Sequence, residues 1–201
     1  MARRRADNGP LAFSCDCKAV RGHLQAGAAA RGVHAVCYCR DCRAAELWLG
    51  RPDPAPGPVD VFQTTPDMIR FQSGTDRLGL LRLSPKGLMR WYATCCNAPL
   101  FNTLASPRLP FAALHVARLD SPESVGPVRV HSFVPRPGGR SAHRGWGRMI
   151  LRLVTGMGGA RLSGRWRRTP FFDPDSGAPV AEATIPDKAA RAALYSRAPG
   201  S

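Results

Sequence analysis

The stretch CYCRDC, residues 37–42, places Cys37, Cys39 and Cys42 within six positions, between an apolar approach at 33–36 and a short run that reads as a helix. A C-x-x-C turn can wrap two thiols around one ion. A C-x-C puts two side chains on the same face of an extended segment, where a bend lets them chelate. Here the two spacings overlap, so one short knuckle offers three thiolates. Tetrahedral zinc, with Zn–S near ~2.3 Å, needs sulfurs about 3.8 Å apart, which this local spacing can supply.

Four more cysteines follow the same logic. Cys15-Asp16-Cys17 is a second C-x-C, and Cys95-Cys96 is a vicinal pair that offers one or two ligands. All seven cysteines lie between Cys15 and Cys96. An odd count, pairs too close for easy disulfides and a start that does not read as an export signal argue against a disulfide framework. Seven thiolates divide as four plus three, the arithmetic of one closed structural site and one open site whose last position is left for water or substrate. Zinc, two ions per chain, is the expected metal. The alternative is buried free cysteines that act as small hydrophobes.

At 201 residues and 44% hydrophobic, the chain suits one domain with an extension. The basic run Arg3-Arg4-Arg5 is followed by Asp7, Asn8, Gly9 and Pro10 instead of an apolar segment, so residues 1–10 read as a disordered basic N-terminus and no signal peptide is expected. The longest apolar stretch, near 149–154, is broken by Arg152 and falls far short of a membrane span. A cytoplasmic location is the expectation.

Short β-like runs dominate the first part of the chain, at 19–25, 32–36, 59–64, 68–72, 78–83, 88–94 and 111–117, with Gly and Pro between them. This pattern predicts a mainly β domain of antiparallel sheets over 11–134. Between the knuckle and the next strand, GRPDPAPGP (50–58) reads as an extended, proline-stiffened loop, either bordering a site at the knuckle or serving as a rigid surface connector.

The texture changes after residue 135. The net charge of +15 is concentrated there: residues 135–172 hold nine Arg and no Asp or Glu. Trp146, Met149, Ile150, Leu153, Val154 and Met157 recur at helical spacing, and Arg144, Arg148 and Arg152 mark another face. A basic amphipathic helix over about 143–157 is predicted, ended by the Gly156, Gly158, Gly159 cluster and capping the β domain. A loop-rich tail with one short helix near 186–197 completes the 135–201 extension. Such a segment can attract nucleic acid, an anionic membrane surface or an acidic protein.

CDCKAV (15–20), CYCRDC (37–42) and RWYATCCNAPL (90–100) together resemble the three successive motifs of the glutathione-dependent formaldehyde-activating enzyme (GFA) family, to which the centromere protein V-like zinc domain is related: C-x-C-G-x-V, C-x-C-x-x-C and R-x-F-C-x-x-C-G. Order and separation agree over about residues 11–120. The resemblance implies a β-tent zinc fold with two ions, in which Cys37, Cys39 and Cys42 hold a catalytic zinc open in its fourth position. Cys15 and Cys17 would share a structural zinc with the third motif. That motif departs from the pattern, because Ala93 stands where its first cysteine belongs and Cys95 is extra. Three arrangements follow: Cys95 replaces the missing ligand, the structural site has three thiolates and a water, or Cys95 reaches the other ion. Lys18 and Asn97 also stand at positions where the family has glycine.

The implied reaction is addition of glutathione to formaldehyde, or its reversal as a carbon–sulfur lyase, with a small-molecule thiol and aldehyde as partners. An open three-thiolate zinc is a poor activator of water and a soft partner for a fourth thiol. Arg40 and Arg43 are candidates for binding the carboxylates of such a tripeptide. His34 and His115 are possible polar neighbours, and no Ser/His/Asp triad stands out. The competing reading is a non-catalytic zinc module whose basic C-terminal segment binds an anionic partner, since fold alone does not establish function. Methionine sulfoxide reductase chemistry fits less well, because it wants two C-x-x-C zinc pairs and only one is present.

Overall fold

In the computed structural model, which describes residues 9–197 (the side chain of Arg148 excepted), the β-branched and aromatic runs fold as twelve strands. They are β1 (Leu11–Ser14), β2 (Arg21–Leu24), β3 (Val33–Cys37), β4 (Val59–Thr64), β5 (Ile69–Ser73), β6 (Leu78–Leu81), β7 (Met89–Ala93), β8 (Ala98–Thr103), β9 (Ala112–His115), β10 (Val130–Pro135), β11 (Ser141–Arg144) and β12 (Ala183–Thr184). The helices are α1 (Ala28–Arg31), α2 (Arg40–Trp48), α3 (Trp146–Leu162) and α4 (Lys188–Ser196). The fold is mainly β. Of the N-terminal stretch expected to be disordered, residues 1–8 lie outside the described residues.

One sheet has three strands, ordered β1-β2-β5, and the other nine, ordered β11-β10-β3-β4-β9-β8-β7-β6-β12. Pairing is antiparallel except that β10 lies parallel to β3, and β12 parallel to β6. Side chains along the central strands alternate between two buried faces. Leu80, Trp91, Phe101, Leu114 and Phe62 point into a core shared with Phe13, Leu24 and Ile69 of the small sheet. Their neighbours Leu81, Tyr92, Ala113 and Val61 face the other side, where α2, α3 and α4 pack. The two sheets therefore enclose one core, and the helices cover the reverse face of the larger sheet.

Chain beyond residue 135 contributes to this core. Phe171 and Phe172 are buried in it, with the Phe171 ring 5.0 Å from Trp91 and 5.3 Å from Phe101 between centroids. The tail then adds β12 to the edge of β6 and lays α4 on α2, where Leu194 and Tyr195 meet Ala44, Ala45, Leu81 and Leu83. Asp187 caps α4 by accepting from the Ala190 N–H at 2.7 Å.

Helix α3 differs from its expected extent. It runs through Gly156, Gly158 and Gly159 to Leu162, because these glycines do not adopt the left-handed conformation that stops a helix. Gly164, with φ 72°, does, and follows the Ser163 cap. The buried face is also narrower than the periodicity suggests. Met149 and Leu153 pack against Val33, Ala35, Val59 and Val61, and Ala160 is fully buried, whereas Ile150 and Val154 face outward.

His34, buried on β3, lies 2.7 Å from Asp60 Oδ1 through Nε2 and 2.5 Å from the Gly126 carbonyl through Nδ1. Both partners are acceptors, so the arrangement favours the imidazolium, whose two ring nitrogens both donate. The Asp60 hydrogen bond, and secondarily the Gly126 carbonyl, raise its pKa against the opposing effect of burial. A raised folded value means that this contribution is fully present below the unfolded pKa of about 6.5 and is lost as pH rises through the folded value. The Tm gap between wild type and Asp60→Asn is therefore expected to be widest below about pH 6.5 and to narrow as pH rises through the raised folded value. An NMR titration placing His34 at or below its unfolded value would contradict this.

Candidate metal centres

The four-thiol centre is built from two turns 80 positions apart. After β1 the chain reverses within residues 15–20: Cys15 N donates to the Val20 carbonyl (3.0 Å), Lys18 N donates to the Cys15 carbonyl (3.0 Å), and Val20 N donates to Cys15 Sγ (3.3 Å). The reversal requires φ 60° at Lys18. A lysine thus occupies a left-handed position where glycine carries no Cβ penalty. Opposite it, residues 94–97 form the turn between β7 and β8, with Asn97 at φ 54°. This turn removes the obstacle to vicinal chelation, because Cys95 and Cys96 sit on a bend instead of alternating along a strand.

The sulfurs lie at 3.6 Å (Cys15–Cys17), 3.9 Å (Cys15–Cys95) and 3.3 Å (Cys17–Cys95), and Cys96 brings the fourth within 4.8 Å of all three. These separations match the edges of a tetrahedron with metal–sulfur bonds of about 2.3 Å. Of the three arrangements open to Cys95, its sulfur clusters with those of Cys15, Cys17 and Cys96 and not with the three-thiol centre. Donation from the Ala19 N–H, then hydrogen bonds from Cys95 and Cys15, hold the Cys17 thiol down at about 7, ready to ligate near neutral pH. Asp16, between the two ligands, is clamped by Arg118 and, at 2.8 Å, by Arg51.

The three-thiol centre sits where β3 runs into α2. Cys37 closes the strand, Cys39 caps the helix by accepting from Cys42 N at 3.3 Å, and Cys42 lies in its first turn, 3.2 Å from Cys39 between sulfurs. All three Sγ atoms lie within 4.8 Å of one another. Thiols this close share charge unevenly. Hydrogen bonds from Cys37 and Cys42, aided by the field of Arg90, hold Cys39 down at about 2, while its proximity pushes Cys37 up to about 11. The ligand atoms fit a metal ion at both centres, and the seven cysteines divide four and three.

A polar row that includes His115, expected as a possible polar neighbour, and Glu46 and Asn102, which sequence reasoning did not select, lies beside the three-thiol centre. Arg90 is buried on β7, and its charge acts on both Cys39 and Cys42. It donates to Asn102 Oδ1 on β8 (3.4 Å), Asn102 Nδ2 meets His115 Nε2 on β9 (3.4 Å), and His115 Nδ1 meets Glu46 of α2 (3.3 Å). The register of three neighbouring strands brings this buried row together under the helix that carries Cys42. Of the two arginines expected to bind a substrate, Arg43 is held by Asp53 of the proline-rich loop through two bonds of 2.7 and 2.6 Å. Arg40 is exposed, with its guanidinium 4.7 Å over the Tyr195 ring. His34 lies on the opposite face of the sheet from this row, engaged with Asp60.

Fold and site together define a mainly β protein with two cysteine clusters able to hold metal ions, and no helix of the described residues is long and apolar enough to cross a membrane. Residues 8–184 match a family described as of unknown function, DUF6151, and the chain belongs to that family. A crystal structure of a Rhodobacter sphaeroides protein is similar to it at 18% identity, covering 60% of this chain and 98% of that one, with a TM-score of 0.43. No curated protein matches.

Proposed function

We propose that Cys37, Cys39 and Cys42 hold zinc with a free fourth position, and that the protein makes or cleaves the carbon–sulfur bond between a glutathione-type thiol and an aldehyde such as formaldehyde. The observation that carries this reading is the contrast between the clusters. One is complete with four thiols, while the other stops at three with no further Cys, His, Asp or Glu donor completing it among the described residues. Zinc there would supply a soft Lewis acid that holds a fourth thiol as its thiolate.

The surrounding residues favour such a ligand. Three thiolates and a divalent ion sum to one negative charge, and a substrate thiolate adds another. Arg90, a permanent cation buried beside them, offsets one of these charges. In the forward direction the thiol loses its proton, its sulfur electron pair forms the bond to the aldehyde carbon, and the carbonyl oxygen takes up a proton. No oxidant is consumed. Glu46 and His115 form a buried pair that can exchange a proton in this balance. A substrate carboxylate would reach Arg40 in competition with Asp41, 3.8 Å away, and the Tyr195 ring beneath it.

Metal content and glutathione-dependent turnover of formaldehyde, compared between wild type and Cys39→Ser, test the proposal. Two zinc ions and turnover in the wild type, with one ion and at least a hundredfold loss in the variant, are expected. Full activity in Cys39→Ser rules the mechanism out. Two ions without turnover in the wild type would leave the non-catalytic zinc module.

A further inference from the structure

Helix α3 is apolar on two sides. Its inner side, with Met149, Leu153 and Ala160, is buried on the sheet. Its outer side carries Leu151 (63% exposed), Val154 (63%) and Leu162 (93%), with Gly147 and Gly158 between them and Ile150 (49%) on the flank. At 100° per residue, positions 147, 151, 154, 158 and 162 form one stripe, about 22 Å long. Phe133, exposed on the neighbouring β10, continues toward the helix start through His143 and Trp146, with ring centroids 4.7 and 3.9 Å apart.

Charge around the stripe is of one sign. Arg144 before the helix, Arg161 in its last turn, and Arg167 and Arg168 beyond it are exposed. Arg152 and Arg165 are instead turned inward, to the Ala30 and Gly32 carbonyls and to Asp67. Residues 135–172 contain no acidic group. A second copy would bring the same arginines to the same surface and repel. Nucleic acid would satisfy the arginines and leave Leu151 and Leu162 in water. An anionic bilayer surface satisfies both, with apolar side chains at the acyl boundary, arginines among the headgroups and aromatic rings between.

We propose that α3 is a membrane-surface helix that docks the protein, lying in the plane, on anionic lipid. This proposal is independent of the thiol chemistry. The test is co-sedimentation of the full chain with phosphatidylcholine vesicles containing 30% phosphatidylglycerol, against pure phosphatidylcholine, for wild type and a Leu151→Asp/Leu162→Asp variant. Wild type is expected to bind only the anionic vesicles, less strongly at high salt. The variant, with its metal content and Tm unchanged because both positions are exposed, should bind at least tenfold more weakly. Equal binding of both proteins would overturn the proposal. So would the absence of vesicle binding, whether accompanied by duplex DNA or RNA binding insensitive to the substitutions or by a dimer that the substitutions dissolve.

Discussion

Replacing Cys95 by serine is expected to remove one of two metal ions per chain and to lower the Tm by about 10 °C or more. Cys95 Sγ stands 3.3 Å from Cys17 and 3.9 Å from Cys15, so its loss opens the tetrahedron instead of trimming a bystander. The remaining thiols belong to two turns far apart in sequence, the reversal after β1 and the bend between β7 and β8, at the edge of the core that Cys15, Val20, Ala93 and Ala98 share. Structural zinc sites contribute folding free energy directly, because the site does not exist in the unfolded chain. A loss of a few kcal/mol, at about 2–4 °C per kcal/mol for a chain of this size, gives the expected shift. Metal analysis and thermal unfolding on the same preparations check it. Two ions retained at wild-type stability would mean that Cys95 is not a ligand.

Phe171→Ala is expected to produce a comparable drop by a different route. The ring is fully buried between the sheets, against Trp91, Phe101 and Phe71. Truncating a buried aromatic costs about 3–5 kcal/mol through lost transfer free energy and the cavity left behind. That is about 10 °C at the same scaling, with both metal ions retained. Circular dichroism melting reads the first and metal analysis the second. A Tm within 2 °C of wild type would mean that the Arg-rich stretch merely covers a core complete without it.

Much of this architecture was legible in the residues. β4 falls on its expected boundaries because VDVFQT combines β-branched and aromatic residues with flanking prolines. β6 and β7 fall inside the expected runs 78–83 and 88–94 because Leu78, Leu80 and Leu81 and then Trp91 and Tyr92 form apolar runs. β8 was hidden by Pro99 at its second position, and β10 by a pairing with β3 nearly a hundred positions earlier, which no local pattern signals. The knuckle was legible because its ligands are local, and the four-plus-three division because it is arithmetic. How Cys95 and Cys96 reach one centre depended on the turn at 94–97. His115 was named as a possible polar neighbour, but its joining with Glu46, Asn102 and Arg90 in one row was out of reach, since the members lie on four elements and meet only through strand register. The paired Phe171 and Phe172, isolated among arginines, were a usable signal for a core contribution from the extension. Ile150 and Val154 were read as buried because periodicity marks apolar faces without saying how many of them the protein covers.

The tail's return to α2 also bears on the order in which the molecule is made. Tyr195 donates to Asp41 at 2.9 Å across 154 positions of chain, beside the knuckle. At roughly 5–20 residues per second of synthesis, about 8–30 seconds separate the two. During that interval β6 has no neighbour beyond it and α2 has nothing on its outer side, while Cys37, Cys39 and Cys42 are already joined in sequence. An ion can therefore enter the knuckle before the brace that finishes it has been translated.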